Sequence, residues 1–230
     1  MSGRGGGSAA EALVVAAPEG IMVAVYELDV VAPDSLGRFV YRWYGPPDRP
    51  PAVAVQGEGE GEGVGVPGAL LEWHRLAARY TFPLSRDHVM LPPGGARFWQ
   101  GADDWYSYDA DAFRDGVADP EVIESDERRT GLGLSRFLVY AAVYEATYAP
   151  VHGLVLMQPG AGALRAVKVR LRELDDGLWQ WPDPATRYYG DDDLLGHLGP
   201  DRIVIAARHR DALGRFDGLA LPWDWDSRSL

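Results

Sequence analysis

Leu134-Ser-Arg-Phe-Leu-Val-Tyr-Ala-Ala-Val-Tyr-Glu-Ala-Thr-Tyr148 is the most strongly periodic stretch of the chain. Leu134, Phe137, Leu138, Ala141, Tyr144, Glu145 and Tyr148 recur at the 3.6-residue period, Ser135 can cap the start, and Pro150 stands just past the end. Together these predict an α-helix over 134–148. Beyond it, Leu154–Met157 reads as a strand, and so does Ile203–Arg208. Between them, Leu164–Leu174 fits two templates. Val167, Val169 and Leu171 alternate with basic residues as in a strand, whereas Leu164, Val167, Leu171 and Leu174 form a helical face, and periodicity does not decide between them. The tail ends in Leu221-Pro-Trp-Asp-Trp-Asp226, where Trp223 and Trp225 are expected to close the core rather than to mediate assembly.

Before the helix, Arg97–Gln100 and Trp105–Tyr108 are short aromatic segments separated by Gly101-Ala102-Asp103-Asp104, the pattern of a hairpin. Val66–Tyr80 opens with Pro67 and carries Leu70, Leu71, Trp73, His74, Ala77 and Ala78 at helical spacing, so a second helix is predicted there. Further strands are predicted over Ile21–Val31, Phe39–Tyr44 and Ala52–Gln56. Gly57-Glu-Gly-Glu-Gly-Glu-Gly63 pairs a flexible residue with uncompensated charge and reads as a mobile loop, and the glycine-rich Met1–Ala10 as a disordered leader. Residues 11–230 are read as a single globular domain.

The composition narrows the class. The 230 residues are 47% hydrophobic and 24% charged, with no cysteine and a net charge of −12. Disulfides and thiolate metal sites are excluded, no uncharged apolar run reaches the length of a membrane span, and the charge has the wrong sign for non-specific nucleic-acid binding. Lys168 is the only lysine, asparagine is absent, and Arg, Ala, Gly and Pro are abundant, a bias expected of a GC-rich bacterial genome. Leu13–Ala17 is too short for a signal-peptide core, so a cytoplasmic protein is expected.

The familiar catalytic and cofactor motifs fail on inspection. No glycine frame precedes Lys168, which excludes a P-loop. Gly131-Leu-Gly133 meets Arg136 where a dinucleotide fingerprint needs glycine, and Gly133-Leu-Ser135-Arg-Phe137 has phenylalanine where a nucleophile elbow needs it. Asp109-Ala-Asp111 begins like a calcium loop, but Phe113, Arg114 and Pro120 occupy its third ligand, its glycine and its bidentate glutamate. His74, His88, His152, His197 and His209 are scattered, with no pair at metal-ligand spacing. His74 is read as a partly buried structural imidazole. No metal or cofactor motif is complete, while an acid–base pair among the 34 carboxylates stays open, since their number alone makes such a pair unspecific.

One stretch stands apart. Residues 101–127 hold ten acidic residues against Arg114 alone, a local charge of −9, interleaved with Trp105, Tyr106, Tyr108 and Phe113. Such a surface would steer a basic partner and offer flat amphipathic anchors. Asp103, Asp104, Asp109 and Asp111 are the candidates for charge complementarity, Trp105 and Tyr106 for contact area. The competing reading makes the acids a solvated loop and the aromatics core residues of an edge strand.

Three segments carry a family resemblance: Pro67-Gly-Ala-Leu-Leu-Glu-Trp-His-Arg-Leu-Ala-Ala-Arg79, Phe98-Trp-Gln-Gly-Ala-Asp-Asp-Trp-Tyr-Ser-Tyr108 with Asp119-Pro-Glu-Val122, and Leu134-Ser-Arg-Phe-Leu138 leading to Glu145-Ala146. Over about residues 37–150 they resemble bacterial members of the SUKH superfamily, although Gly101-Ala102-Asp103-Asp104 stands where the family usually has Glu-Asn-Gln. The resemblance implies an α+β fold with a mixed or mainly antiparallel sheet flanked by helices, with residues 151–230 as an additional C-terminal segment. It also implies a non-enzymatic binding module of the immunity-protein type, without a cofactor, whose partner is a basic protein such as a toxin domain. A carboxylate-dependent hydrolase using His74 or His88, and a structural or assembly protein, are the alternative readings.

Overall fold

The computed structural model describes residues 35–50, 65–80, 95–100, 105–148, 150–174 and 186–230. The leader, the strands expected over Ile21–Val31 and Ala52–Gln56, the Gly-Glu tract, the turn with Asp103 and Asp104, and His88 lie outside the described residues.

The fold is α+β, built on two antiparallel sheets. The first is a meander of β1 (Arg97–Gln100), β2 (Trp105–Tyr108), β3 (Glu121–Glu124) and β4 (Arg129–Gly133), with the short helix α3 (Ala110–Arg114) between β2 and β3. The second is formed by β5 (His152–Met157), β6 (Arg187–Gly190), β7 (Leu194–Leu198), β8 (Arg202–Ala207) and β9 (Trp225–Asp226), in the order β6-β7-β8-β5-β9. Every strand pairing in both is antiparallel. Residues 151–230, left unplaced by the family resemblance, supply the whole second sheet. Among the described residues two sheets therefore stand where one was expected.

The helix predicted over 134–148 forms with those limits, as α4. Its sequence shows why it is central. Val139, Tyr140, Ala142 and Val143 are apolar outside the predicted stripe and are buried too, so eleven of its fifteen residues are buried. A helix apolar all round has to be enclosed. Helices α1 (Ser35–Tyr44) and α2 (Gly68–Arg79) pack on it, as do β3, β4, β7 and β8. Phe137 anchors the contact with the meander, its ring centre 5.5 Å from Phe98, 6.1 Å from Trp99 and 4.9 Å from Tyr106. Tyr144 faces the second sheet, where its ring lies 5.9 Å from buried His197, itself stacked on Tyr188 at 5.3 Å. The far side of that sheet is covered by a second apolar cluster, in which Leu154, Leu194, Ile203 and Ile205 meet Val167, Leu213 and Phe216.

Several expectations need correction. Phe39–Tyr44 is part of α1, not a strand, because Leu36, Phe39, Val40 and Trp43 recur at the 3.6 period once the window starts before Phe39. The ambiguous 164–174 stretch is helical through α5 (Ala161–Lys168), with Leu164, Val167 and Leu171 turned to the second cluster. Pro67 stands just before α2, and its carbonyl accepts from Leu70 and Leu71. Ser135 lies inside α4 rather than capping it. The cap comes from Asp119, whose Oδ1 accepts the Ser135 N–H at 2.7 Å while the Ser135 hydroxyl donates to Oδ2 at 2.7 Å. A Cβ at Gly133 would run into this carboxylate, which explains the glycine. Trp223 packs against the second cluster and Trp225 pairs with Val155 in β9. No helix among the described residues is long and apolar enough to cross a membrane.

Phe137→Ala, which removes the ring shared by three aromatics, is expected to cost about 3–5 kcal/mol in urea unfolding. Asp119→Ala should cost about 1 kcal/mol through loss of the cap, and Asp119→Asn less.

Candidate partner-binding face

Strand alternation divides the meander's side chains between two faces. Tyr106, Tyr108 and Val122 point into the core, with Tyr106 5% and Tyr108 4% exposed. On the outer face the register sets Arg97, Ser107, Ile123 and Arg129 in one row across all four strands, since Arg97 pairs with Ser107, Ser107 with Ile123 and Ile123 with Arg129. Trp105 lies next to this row, paired with Gln100 and half-exposed, and the Arg97 guanidinium sits 4.2 Å from its ring centre. Ser107 and Ile123 are half-buried, while Arg97, Gln100 and Arg129 are exposed. In β1 the register shifts between Arg97 and Trp99, and Phe98 and Trp99, adjacent in sequence, are both buried.

The six candidate residues part company here. Asp103 and Asp104 lie outside the described residues. Trp105 belongs to the outer face, but Tyr106 points to the opposite one and packs on Phe137, so its ring is core rather than a partner anchor. Asp109 caps α3, accepting the Ala112 N–H at 3.0 Å, and its other oxygen accepts Arg129 Nη2 at 2.7 Å. Asp111 is exposed on α3 and pairs with Arg114.

Most of the remaining acids also have work within the fold. Arg129 spans Asp109 and Glu121, donating to Glu121 Oε2 at 2.7 Å, while the Gly131 N–H donates to Glu121 Oε1 at 2.9 Å. Arg128 binds Glu124, and its N–H donates to Asp126 at 3.1 Å across the β3–β4 turn. Asp119 caps α4. The tally of −9 stops one residue short of the two arginines that answer these carboxylates, and over 101–129 ten acids face three bases, a charge of −7. Asp115 and Glu127 are exposed, and no cation among the described residues meets either. The acids thus border the outer face at both ends: Asp111, Asp115 and Asp119 near α3, and Asp126 and Glu127 in the β3–β4 turn, about 13 Å away along four residues of strand.

These contacts fix the local electrostatics. The Ala112 N–H and then the Arg129 guanidinium hold the Asp109 carboxyl below its usual range. For Glu121 the Arg129 guanidinium leads and the Gly131 N–H follows. Burial pushes the Tyr108 hydroxyl up. Among the described residues no group of three or more His, Asp or Glu is placed to hold a metal ion. His74 is half-buried on α2, His152 begins β5, and His209 stands 3.5 Å from Asp193. Ile123, Arg97 and Arg129, which complete the outer face, escaped the sequence reading. Alternation from Trp105 would have paired it with Ser107 instead of Tyr106, and the strand signal of Glu121-Val-Ile-Glu124 was masked by its flanking charges.

No family model, curated protein or solved structure matches the chain.

Arg129→Ala tests the electrostatic role. Both carboxyls have depressed folded pKa values, so the stability they add is present above their unfolded values of about 4 and is lost as pH falls through the folded ones. The variant is expected to be less stable than the parent at neutral pH in urea titrations, with the gap closing below about pH 4. A gap independent of pH would mean that Arg129 acts through packing alone.

Proposed function

We propose that this chain is a non-enzymatic, cytoplasmic protein-binding module of the SUKH-like immunity type, which receives a basic protein such as a toxin domain on the outer face of its meander. The observation that carries the proposal is Trp105, half-exposed on a sheet face whose two ends are bordered by exposed carboxylates. An amphipathic ring inside a charged rim is the arrangement of a contact centre with a steering border. In this reading Trp105 and Ile123 supply contact area. Asp111 and Asp115 at one end, with Asp126 and Glu127 at the other, raise the encounter rate of a cationic surface. Asp109 acts through position, since it already serves α3 and Arg129. Tyr106 supports the strand from beneath.

The reading is tested with the tagged full-length chain as bait in native bacterial lysate at about 50 mM and about 500 mM salt, followed by association kinetics with the captured protein. One basic protein should be retained at low salt only. Asp111→Lys with Asp115→Lys is expected to slow its association about tenfold at low salt and flatten the salt dependence. Trp105→Ala should act on dissociation instead. An association rate indifferent to both aspartate reversals would sink the assignment of the face.

A further inference from the structure

The chain has a second surface of opposite character. No Asp or Glu occurs between Glu145 and Glu173, a stretch that contains Arg165, Lys168, Arg170 and Arg172. Elsewhere Arg42, Arg128, Arg129, Arg208, Arg215 and Arg228 each meet a carboxylate. Arg165, Lys168 and Arg172 meet none among the described residues. With Val169 they recur in sequence at i, i+3, i+4 and i+7: Arg165 and Lys168 lie on α5, and Val169 stands at its C-terminal cap. Arg172 follows a turn in which the Arg170 N–H donates to Val167 and the Leu171 N–H to Lys168, its own carbonyl accepting the Gly190 N–H of the second sheet. The other side of the same segment, Leu164, Val167 and Leu171, packs on the second apolar cluster. Arg165, Lys168, Val169 and Arg172 are all exposed.

Its apolar member is conspicuous. Val169 is 75% exposed, exceeded among the large apolar residues described only by Leu230 at 86%. The helix C-terminus accounts for cations at Arg165 and Lys168, and Arg170 donates to the Ala166 carbonyl at 2.8 Å. Neither effect accounts for Arg172 or for an uncovered valine. Lys168 is held in place by the Tyr189 ring, 5.6 Å from its ammonium.

We infer that this strip is a docking surface for a short acidic segment of a partner protein, with carboxylates for Arg165, Lys168 and Arg172 and one apolar side chain for Val169. Arg165 and Lys168 stand about 5 Å apart along α5 and Arg172 lies four residues beyond its end, a spacing that a few residues of extended peptide can follow. A nucleic acid fits less well. Three cations neutralise few phosphates, no exposed aromatic on the strip can stack a base, and the net charge of −12 repels a long polyanion. The surface is separate from the meander face and does not depend on it.

The test uses the full-length chain, isotopically labelled, and a synthetic peptide of six glutamates around one leucine, followed by amide shifts at about 50 mM salt. The shifts are expected to concentrate in residues 161–172. Arg165→Glu with Arg172→Glu should weaken binding about tenfold, and Val169→Ser, or serine for the peptide's leucine, about threefold. Arg165→Gln with Arg172→Gln serves as a milder pair, and unchanged thermal unfolding confirms that the variants are folded. The inference is overturned if these variants bind like the parent, if the shifts fall elsewhere, or if the serine peptide binds equally well. It is also overturned if a hexauridylate displaces the peptide at lower concentration, or if sedimentation shows a second copy of the chain covering the strip.

Discussion

Helix α4 has no solvent-facing side over its middle turns, and the rest of the architecture follows from enclosing it. Ala141 and Ala142 let neighbours approach its axis, Phe137 reaches one sheet, and Tyr144 reaches the other. Two sheets and two helices are needed to remove that much apolar surface from water, which is why residues 151–230 are part of the same core and not an appendage: Tyr188, Leu195 and Ala206 join the cluster centred on α4. The start of the helix is tied to the acidic region by Asp119, and β4 runs directly into Leu134. The meander is thus positioned by the helix that it covers.

That constraint decides which side chains remain for recognition. With Tyr106, Tyr108, Phe98 and Trp99 committed to the core and partly buried Phe113 packed edge-on against Tyr108, Trp105 is the half-exposed ring left on the outer face. The carboxylates divide in a similar way. Asp109, Asp119, Glu121 and Glu124 close caps and ion pairs, while Asp115 and Glu127 keep their charge available to solvent. Exposed ion pairs of this sort contribute little stability individually, so their service is chiefly to hold α3 and the β3–β4 turn in fixed relation to the face.

The sequence was most informative where the period was long and capped. Helix α4 and the strands β1 and β2 were legible to the residue, and α2 nearly so, because twelve or more residues of repeating pattern, or two aromatic runs about a turn, average out local exceptions. Phe39–Tyr44 misled because six residues are too few to separate a strand from the end of a helix. Strand β7, Leu194-Leu-Gly-His-Leu198, offered no alternation since it is buried on both faces, and β3 was hidden among charges. At the candidate site, composition located the acidic region but not its arrangement. Whether Trp105 or Tyr106 faces outward depends on register, and whether an aspartate is free or a cap depends on partners eight to twenty residues away in sequence.

A photo-reactive benzoylphenylalanine at Ile123, in the middle of the outer face, would test the account most directly, with the same group at exposed Tyr41 on α1 as the control. Irradiation in native lysate at about 50 mM salt should join the Ile123 variant to a single basic protein, with the adduct lost at about 500 mM and absent from the Tyr41 variant. Equal adducts from both positions, or an adduct from Tyr41 alone, would contradict a partner seated on the meander.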